Sequence, residues 1–397
     1  MKLRRNELLL CLGGWTSKVG NIVFDYANSV SIVGVFADKP WVLAIYQSSE
    51  TIIQIGFNLI GGANADNGNR KKIIIVTDII SAIICFLLSV FINSAVMAVA
   101  MIIANAILSV VFAFNSPTYK SIVREVIEKD RIGFFNSIQN GGGELIKITA
   151  PFVGIVLVNY IGVKGALIFD ATTFLVSAIM EIFLLRIGES NEKKEKKNMV
   201  HNIAEGFKYL CKEKHIFYLV LLSAFVNFFL AGYNLLIPYT DVIYAENGFY
   251  SKVLAIQAVG GIIGSAICSR FGEKYSANEK IQIIFLAITG FTLVLEPLVT
   301  LSGIYILRFL IFLIFGIALT IFNIQFMSYV QIRVKSDYLG RVFSIIFTVA
   351  VFFMPIGSVV FSFIYDTTTD ISFAIIGIGI VVLSIISLFW FGSMKKK

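Results

Sequence analysis

The chain has 397 residues, of which 57% are hydrophobic and 15% are charged, and its formal net charge is +8 at pH 7. Soluble domains are about 45–50% apolar, so this composition excludes an ordinary soluble enzyme and indicates a membrane protein. A helix needs about 20 apolar residues to span the hydrocarbon core, and such runs follow one another along nearly the whole chain. The excess of Lys and Arg over Asp and Glu is expected to lie in cytoplasmic loops, and it does not indicate a nucleic-acid partner.

Polar segments and Gly/Pro breaks divide the chain into about twelve predicted transmembrane helices. They lie near residues 7–33, 40–62, 72–92, 96–118, 133–160, 164–187, 214–240, 250–270, 279–300, 303–330, 340–365 and 371–392. The first run is long and no small-residue cleavage site follows it, so it predicts an uncleaved helix rather than a signal peptide. The sequence therefore predicts an all-α integral membrane protein.

The Lys and Arg residues predict the orientation of these helices. With the N-terminus inside, the outer loops hold only Lys39, Lys164 and Lys252, whereas most basic residues fall in cytoplasmic segments. Such a bias is typical of bacterial and eukaryotic multi-span proteins. We therefore expect a multi-pass protein of the cell membrane with both termini in the cytoplasm.

A charged segment divides the predicted helices six and six. Residues 192–197 read Glu-Lys-Lys-Glu-Lys-Lys, and they separate an N-terminal six-helix bundle (1–187) from a C-terminal one (214–397). Within the linker, residues 188–213, Ile203, Phe207 and Leu210 recur at helical spacing, which favours an amphipathic interfacial helix over a solvated linker. Two six-helix halves around a midplane site are the organisation of many transporters.

Nothing in the sequence indicates an enzyme, a cofactor or a metal centre. The four cysteines are scattered, there are only two histidines, and no Ser/His/Asp set or phosphate-binding loop is recognisable. Gly141-Gly-Gly143 falls inside a predicted span and lacks the lysine of a phosphate loop, so we interpret it as a packing or flexing point.

The connection between the second and third spans carries the most informative motif. It contains Gly62, Asp66, Arg70 and Lys71, and Asp78 follows in the next helix. This pattern resembles the Gly-x-x-x-Asp-Arg-x-x-Arg-Lys signature of the major facilitator superfamily, and its Asn-Arg-Lys ending resembles the macrolide-efflux branch.

Further segments resemble that branch in the same order along the chain. They are Asn115-Ser-Pro-Thr-Tyr119, Asp130-Arg131 with Asn136-Ser137, Glu205-Gly-Phe-Lys-Tyr209, Leu236-Ile-Pro238, and Gly340-Arg-Val-Phe343 with Pro355-Ile-Gly357. The resemblance covers nearly the whole chain and implies the major facilitator fold with alternating access.

The resemblance also implies a cytoplasmic gate. By analogy with the family, Asp66 would contact the start of span eleven near Gly340 and Arg341, braced by Arg70 and Asp78. The alternative is that these are ordinary loop charges. Asn67 departs from the family, which usually has an arginine there, and this departure puts the strength of the gate in question.

Ionisable residues inside the predicted spans are costly in lipid and are usually turned inward and paired. The first half holds three such acids, Asp25, Glu50 and Glu144, and two bases, Lys18 and Lys147. Because acids outnumber bases, one carboxylate is left to bind and release a proton, with Asp25 the first candidate. The alternative is that Lys–carboxylate pairs only join helices.

Polar residues in the other spans are given expected roles from their positions along each span. Asp170 and Glu181 lie toward the two ends of span six, where they can reach the membrane surface, and Glu296 is expected to pair with Arg308 across a hairpin. In the family, spans one, four, seven and ten line the cavity. The resulting substrate-contact candidates are Asn227, Asn234, Asn323 and Gln325, with helix–helix hydrogen bonding as the alternative.

These features together predict a secondary active transporter that exports an amphipathic small molecule, such as a macrolide, another drug or a secreted metabolite, in exchange for protons. The expected partners are this substrate, protons and the lipid bilayer, with the chain acting as a monomer. Two other functions stay open: an importer of the same fold, and a membrane protein that does not transport.

Overall fold

The computed structural model describes residues 3–67, 69–92, 96–185, 208, 210–271, 279–334 and 339–394, and for some helical residues in these ranges only the backbone. The described part is helical and contains no β-strand, which confirms the all-α prediction. The chain divides into two compact units. The first unit comprises Met1–Phe36 and Ile45–Lys193, and the second comprises Ala37–Ala44 and Lys194–Lys397. Each unit is described separately.

The first unit is built mainly from five long helices. They are α1 (Arg5–Val35), α2 (Pro40–Asn67), α3 (Arg70–Phe91), α4 (Met97–Val126) and α5 (Ile132–Ile182), with a 3-10 turn at Lys129–Arg131. Helix α1 packs along α5, and α3 packs against both α4 and α5. Buried apolar residues from α1, α3, α4 and α5, among them Leu10, Ile74, Ile122 and Phe135, form its largest described core cluster.

Helix α5 combines two predicted spans. At Gly162 the backbone adopts φ 71° and ψ 175°, a left-handed conformation that breaks the helix geometry. Only glycine enters this region without strain, so Gly162 provides the turn that the sequence places between residues 160 and 164. The parts before and after Gly162 run as separate helices, and we call them α5a and α5b.

The second unit contains α6 (Lys214–Leu236), a 3-10 turn (Ile237–Tyr239), the short α7 (Thr240–Ile243), α8 (Phe249–Phe271), α9 (Glu279–Leu301), α10 (Tyr305–Arg333), α11 (Leu339–Ile364) and α12 (Ile371–Met394). Its main helix pairs are α9 with α12, α6 with α11, and α8 with α10. At the α9–α12 crossing a Cβ atom on Gly377 would lie 2.5 Å from the carbonyl oxygen of Gly290. Small residues allow this close approach of two backbones, as is common in membrane bundles.

Eight helices in the described residues are long and apolar enough to cross a membrane. This confirms a multi-span protein, while the twelve-helix count and the orientation of the termini stay predictions. Most of the predicted linker, including Ile203 and Phe207, lies outside the described residues, so its amphipathic helix also stays a prediction.

Candidate ion-coupling and transport site

A cavity of about 430 Å³ opens inside the first unit. Its walls come from α1 to α5 and combine carboxylates, hydroxyls and amides with apolar and aromatic side chains. Among the lining residues are Lys18, Asn21, Asp25, Glu50, Gln54, Asp78, Asn105, Phe112, Asn115, Tyr119, Gln139 and Glu181. A cavity that combines apolar surface with polar and charged groups can hold a small molecule.

The candidates Asp25 and Glu50 both line this cavity. The Asp25 side chain is accessible from the cavity, and Glu50 is half-buried. Their carboxylates are close enough to interact electrostatically. The structure therefore brings two acids from different helices to one wall of the cavity.

Neutral donors hold these acids in place. The Tyr46 hydroxyl lies 3.5 Å from Asp25 Oδ1, and Asn28 Nδ2 donates to the same hydroxyl at 3.1 Å. Gln54 Nε2 donates to Glu50 Oε1 at 3.0 Å. A carboxyl group bonded to neutral partners can change its protonation without breaking an ion pair, which is the property that a proton carrier needs.

Asp170 lies behind this wall and is fully buried. Its carboxylate accepts a hydrogen bond from Cys85 Sγ at 3.1 Å and packs against the backbone of Gly20, where a Cβ atom would collide with it. The prediction that Asp170 and Glu181 reach the membrane surface is wrong, since Glu181 is also only 2% exposed. Their spacing of eleven residues puts both on one helical face, a signal that could have indicated burial together.

The predicted charge partners occupy different environments. Lys18 lines the cavity, and its Nζ donates to the carbonyl oxygen of Gly143 at 2.8 Å. The Lys147 side chain is exposed, and the side chain of Glu144 lies outside the description. The pairing of Glu144 with Lys147, and the role of Glu144 in coupling, stay predictions.

The basic residues at the end of the predicted gate motif lie at the start of α3. Asn69 caps this helix by accepting from the backbone nitrogen of Lys72 at 3.3 Å. Arg70 Nη1 pairs with Glu125 Oε1 of α4 at 2.7 Å. Lys71 Nζ donates to the carbonyl oxygens of Ile182 and Leu184, at 2.7 and 2.8 Å. The basic pair thus ties the start of α3 to the ends of α4 and α5b.

Asp78 is buried about two turns further along α3. Asn115 Nδ2 of α4 donates to Asp78 Oδ1 at 3.0 Å and to Thr77 Oγ1 at 2.7 Å. Gly62 and Asp66 fall in the α2 helix, but for these two residues, as for Gly340 and Arg341, only the backbone belongs to the described part. The contact of Asp66 with the start of span eleven therefore stays a prediction. Sequence reasoning missed Glu125 because its partner is 55 residues away.

The amide candidates of the second unit differ in burial. Asn234 and Asn323 are exposed, and Asn227 is half-buried, with its Nδ2 donating to the Ser223 carbonyl oxygen at 2.8 Å. Gln325 is 8% exposed, and its Oε1 has no hydrogen-bond partner. Their contact with a substrate stays a prediction.

The expected pair of Glu296 with Arg308 is not a direct ion pair. Tyr244 lies between them: its hydroxyl donates to Glu296 Oε1, and the Arg308 guanidinium sits 4.7 Å from the centre of its ring. Glu296 is fully buried. The second unit therefore contains a buried acid beside its amides and aromatics, and this acid is hydrogen-bonded to a tyrosine rather than paired with Arg308.

A bundle of apolar helices around a partly charged cavity defines a polytopic membrane transporter. The Major Facilitator Superfamily model matches residues 36–358, which is most of the chain. The chain therefore belongs to this superfamily, as the sequence motifs predict.

Relatives and solved structures agree with this assignment. Macrolide efflux protein A of Streptococcus pyogenes is 22% identical over 366 residues, covering 89% of this chain and 88% of the relative. The protein of the same name from Enterococcus faecalis is 25% identical over 307 residues, covering 75% and 92%. A structure of the nucleoside transporter NupG aligns with a TM-score of 0.75 and 16% identity, covering 97% and 98% of the two chains. At this identity the structural match shows the fold alone.

Proposed function

We propose that this protein is a secondary active exporter that moves an amphipathic small molecule out of the cell in exchange for protons, by alternating access. The observation that carries the proposal is the cavity of the first unit, where Asp25 and Glu50 lie together among apolar and aromatic side chains. Export is supported by the names of the relatives, which are macrolide efflux proteins. We further propose that the chain works as a monomer in the cell membrane.

Asp25 is the main proton carrier in this proposal. Its carboxyl group is accessible from the cavity, whereas Asp170 is sealed behind Gly20. Accessibility matters because a coupling proton must enter from one side of the membrane and leave on the other. Glu50 lines the same cavity and lies close enough to interact electrostatically with Asp25, and in this proposal the two acids share the coupling proton. Glu144 is a third candidate from the sequence.

The amphipathic substrate is proposed from the composition of the walls. Phe112 and the apolar residues of α1 and α4 offer contact area, while Asn21, Gln54 and Asn105 offer hydrogen bonds. In the second unit, Asn227, Asn234, Asn323 and Gln325 are proposed as further contacts. A macrolide is the first compound to test, and such transport would give a host resistance to it.

Transport in oriented vesicles tests the proposal. Inverted vesicles with an imposed proton gradient should accumulate a labelled macrolide, and an uncoupler should abolish the accumulation. Right-side-out vesicles should not accumulate it. Accumulation in right-side-out vesicles would show an importer, and uncoupler-insensitive transport would contradict proton coupling.

A further inference from the structure

Glu296 is a fully buried acid in the second unit, five residues before the end of α9. Its Oε1 accepts hydrogen bonds from the Tyr244 hydroxyl and from Thr300 Oγ1, the latter at 3.1 Å. Its Oε2 has no hydrogen-bond partner. No ion pair to Glu296 occurs in the part of the chain that the structure describes. An ionised carboxylate is costly to bury without a cation, so these contacts favour a neutral group.

The two oxygens of Glu296 are bonded unequally, as in a protonated carboxyl group. In that form one oxygen is a carbonyl that accepts hydrogen bonds, and the other carries the proton. Oε1, which accepts from two hydroxyl groups, has the contacts of the carbonyl oxygen. Oε2 has no donor directed at it, so as part of an ionised carboxylate it would be a buried, charged and unsatisfied acceptor. The contacts therefore place a proton on Oε2.

Arg308 of α10 lies near this acid but does not pair with it. Its guanidinium sits 4.7 Å from the centre of the Tyr244 ring, and its Nε has no hydrogen-bond partner. The hydroxyl of the same tyrosine donates to Glu296, and its ring packs on Phe249 with the ring centres 4.4 Å apart. Tyr244 thus contacts both residues, one with an unsatisfied donor and the other with an unsatisfied acceptor. The two are complementary, because a guanidinium nitrogen donates to a carboxylate oxygen.

The remaining ionisable groups around Glu296 supply no positive charge. Besides Tyr244, they are Asp370, just before α12, and Tyr233 of α6. An acid such as Asp370 disfavours a second negative charge nearby. Of the described groups that act on Glu296, Arg308 is the one cation. An ionised Glu296 would therefore be drawn to Arg308.

We propose that Glu296 is a proton-binding site of the second unit, protonated in this conformation, and that Arg308 is its counter-ion after the proton leaves. On release the O–H bond of Oε2 breaks and the proton passes to water. The carboxylate then pairs through Oε2 with the Arg308 guanidinium, and Tyr244 moves aside to admit it. The part of this site in transport rests on the proposed proton exchange, whereas proton binding itself does not.

Infrared difference spectroscopy of the purified full-length protein, without substrate, tests this site. At neutral pH the parent should show a protonated-carboxyl band that Glu296→Gln lacks. Tyr244→Phe should move this band to higher wavenumber, because the carbonyl oxygen Oε1 loses a hydrogen-bond donor. Raising the pH should remove the band from the parent. In Arg308→Gln the band should persist to a pH about one unit higher, because the ionised acid then lacks its cation.

Glu246→Gln is the matched control. Glu246 lies at the same end of the second unit, where it accepts from the Tyr305 hydroxyl, but it is ion-paired with Lys252, so its variant should keep the band.

If Glu296→Gln does not fold, the shift between the parent and Tyr244→Phe carries the test. Identical carboxyl spectra of the parent and Glu296→Gln would overturn the proposal, as would a band that Tyr244→Phe leaves unshifted. An unchanged titration in Arg308→Gln would overturn its role as counter-ion. Because no substrate is present, these outcomes are separate from failure of the vesicle experiment.

Discussion

Arg131 forms a bidentate ion pair with Glu7: Arg131 Nε lies 2.5 Å from Glu7 Oε1, and Arg131 Nη2 lies 2.6 Å from Glu7 Oε2. The side chains are 4% and 2% exposed, and they join the start of α1 to the segment between α4 and α5. Next to them, Asn6 Nδ2 donates to the carbonyl oxygens of Val126 and Leu185. The first turn of α1 thus fastens three chain segments at one end of the bundle.

Glu7→Gln should lower the thermal stability of the protein by several degrees, because it removes the carboxylate that forms a bidentate ion pair with a buried guanidinium. The measurement is Tm in detergent by intrinsic fluorescence. Glu128→Gln is the matched control, since its pair with Arg4 lies nearby with side chains 43% and 54% exposed. Exposed pairs contribute little, so a larger loss in Glu128→Gln than in Glu7→Gln would contradict this interpretation.

Asp25→Asn should abolish proton-driven accumulation of the macrolide while leaving exchange of labelled for unlabelled substrate largely intact. An amide keeps the shape of the side chain but cannot carry a proton. Glu50→Gln should reduce coupling less, because Asp25 remains accessible from the cavity. Glu213→Gln, at an exposed carboxylate before α6, is the control. Unchanged proton coupling in both cavity variants would remove the assignment.

Asp66→Asn should keep expression and folding but abolish transport, since the proposed cytoplasmic gate requires the negative charge of Asp66. The assay compares vesicle transport with the amount of folded protein from size-exclusion chromatography. Asn67→Arg, which restores the residue common in the family, should keep transport. Normal export by Asp66→Asn would show that the motif acts only through Arg70, Lys71 and their contacts within the first unit.

Gly377→Ala should destabilise the second unit by about 1–3 kcal/mol, because an added methyl group forces α9 and α12 apart. Its Cβ would lie 2.5 Å from the Gly290 carbonyl oxygen and 2.7 Å from the backbone nitrogen of Val294. Gly34→Ala is the control, since no heavy atom lies within 4 Å of a Cβ there. Chemical denaturation or Tm measures the difference. Equal stability of the two variants would show that the crossing tolerates repacking.

Glu246, in the turn before α8, should make the thermal stability of the protein slightly dependent on pH in the acidic range. Hydrogen bonds from Lys252 and Tyr305 hold the pKa of Glu246 below its usual value of 4.5. A lowered folded-state pKa adds stability at pH values above the unfolded pKa, and this stability is lost as the pH falls through the folded value. The Tm should therefore fall slightly less between pH 5 and about pH 3.5 in Glu246→Gln than in the parent. An identical pH dependence would show that the group adds nothing measurable.

The sequence by itself determined the membrane class and the superfamily, and it predicts a division into two six-helix halves. These conclusions depend on local features: long apolar runs, which need no partner to be recognised, and the motif around Arg70. It also selected Asp25 and Glu50, because a charge inside an apolar run is visible without a structure.

Only the tertiary structure decided which polar residues meet. Arg131 and Glu7 are 124 positions apart, and Arg70 and Glu125 are 55 apart, so no spacing rule relates them. Asp170 and Glu181 look like surface residues in sequence, yet α1, α3 and α4 bury them. The reason is physical: hydrophobicity sets where each helix lies in depth, whereas its rotation about its axis is set by contacts with its neighbours.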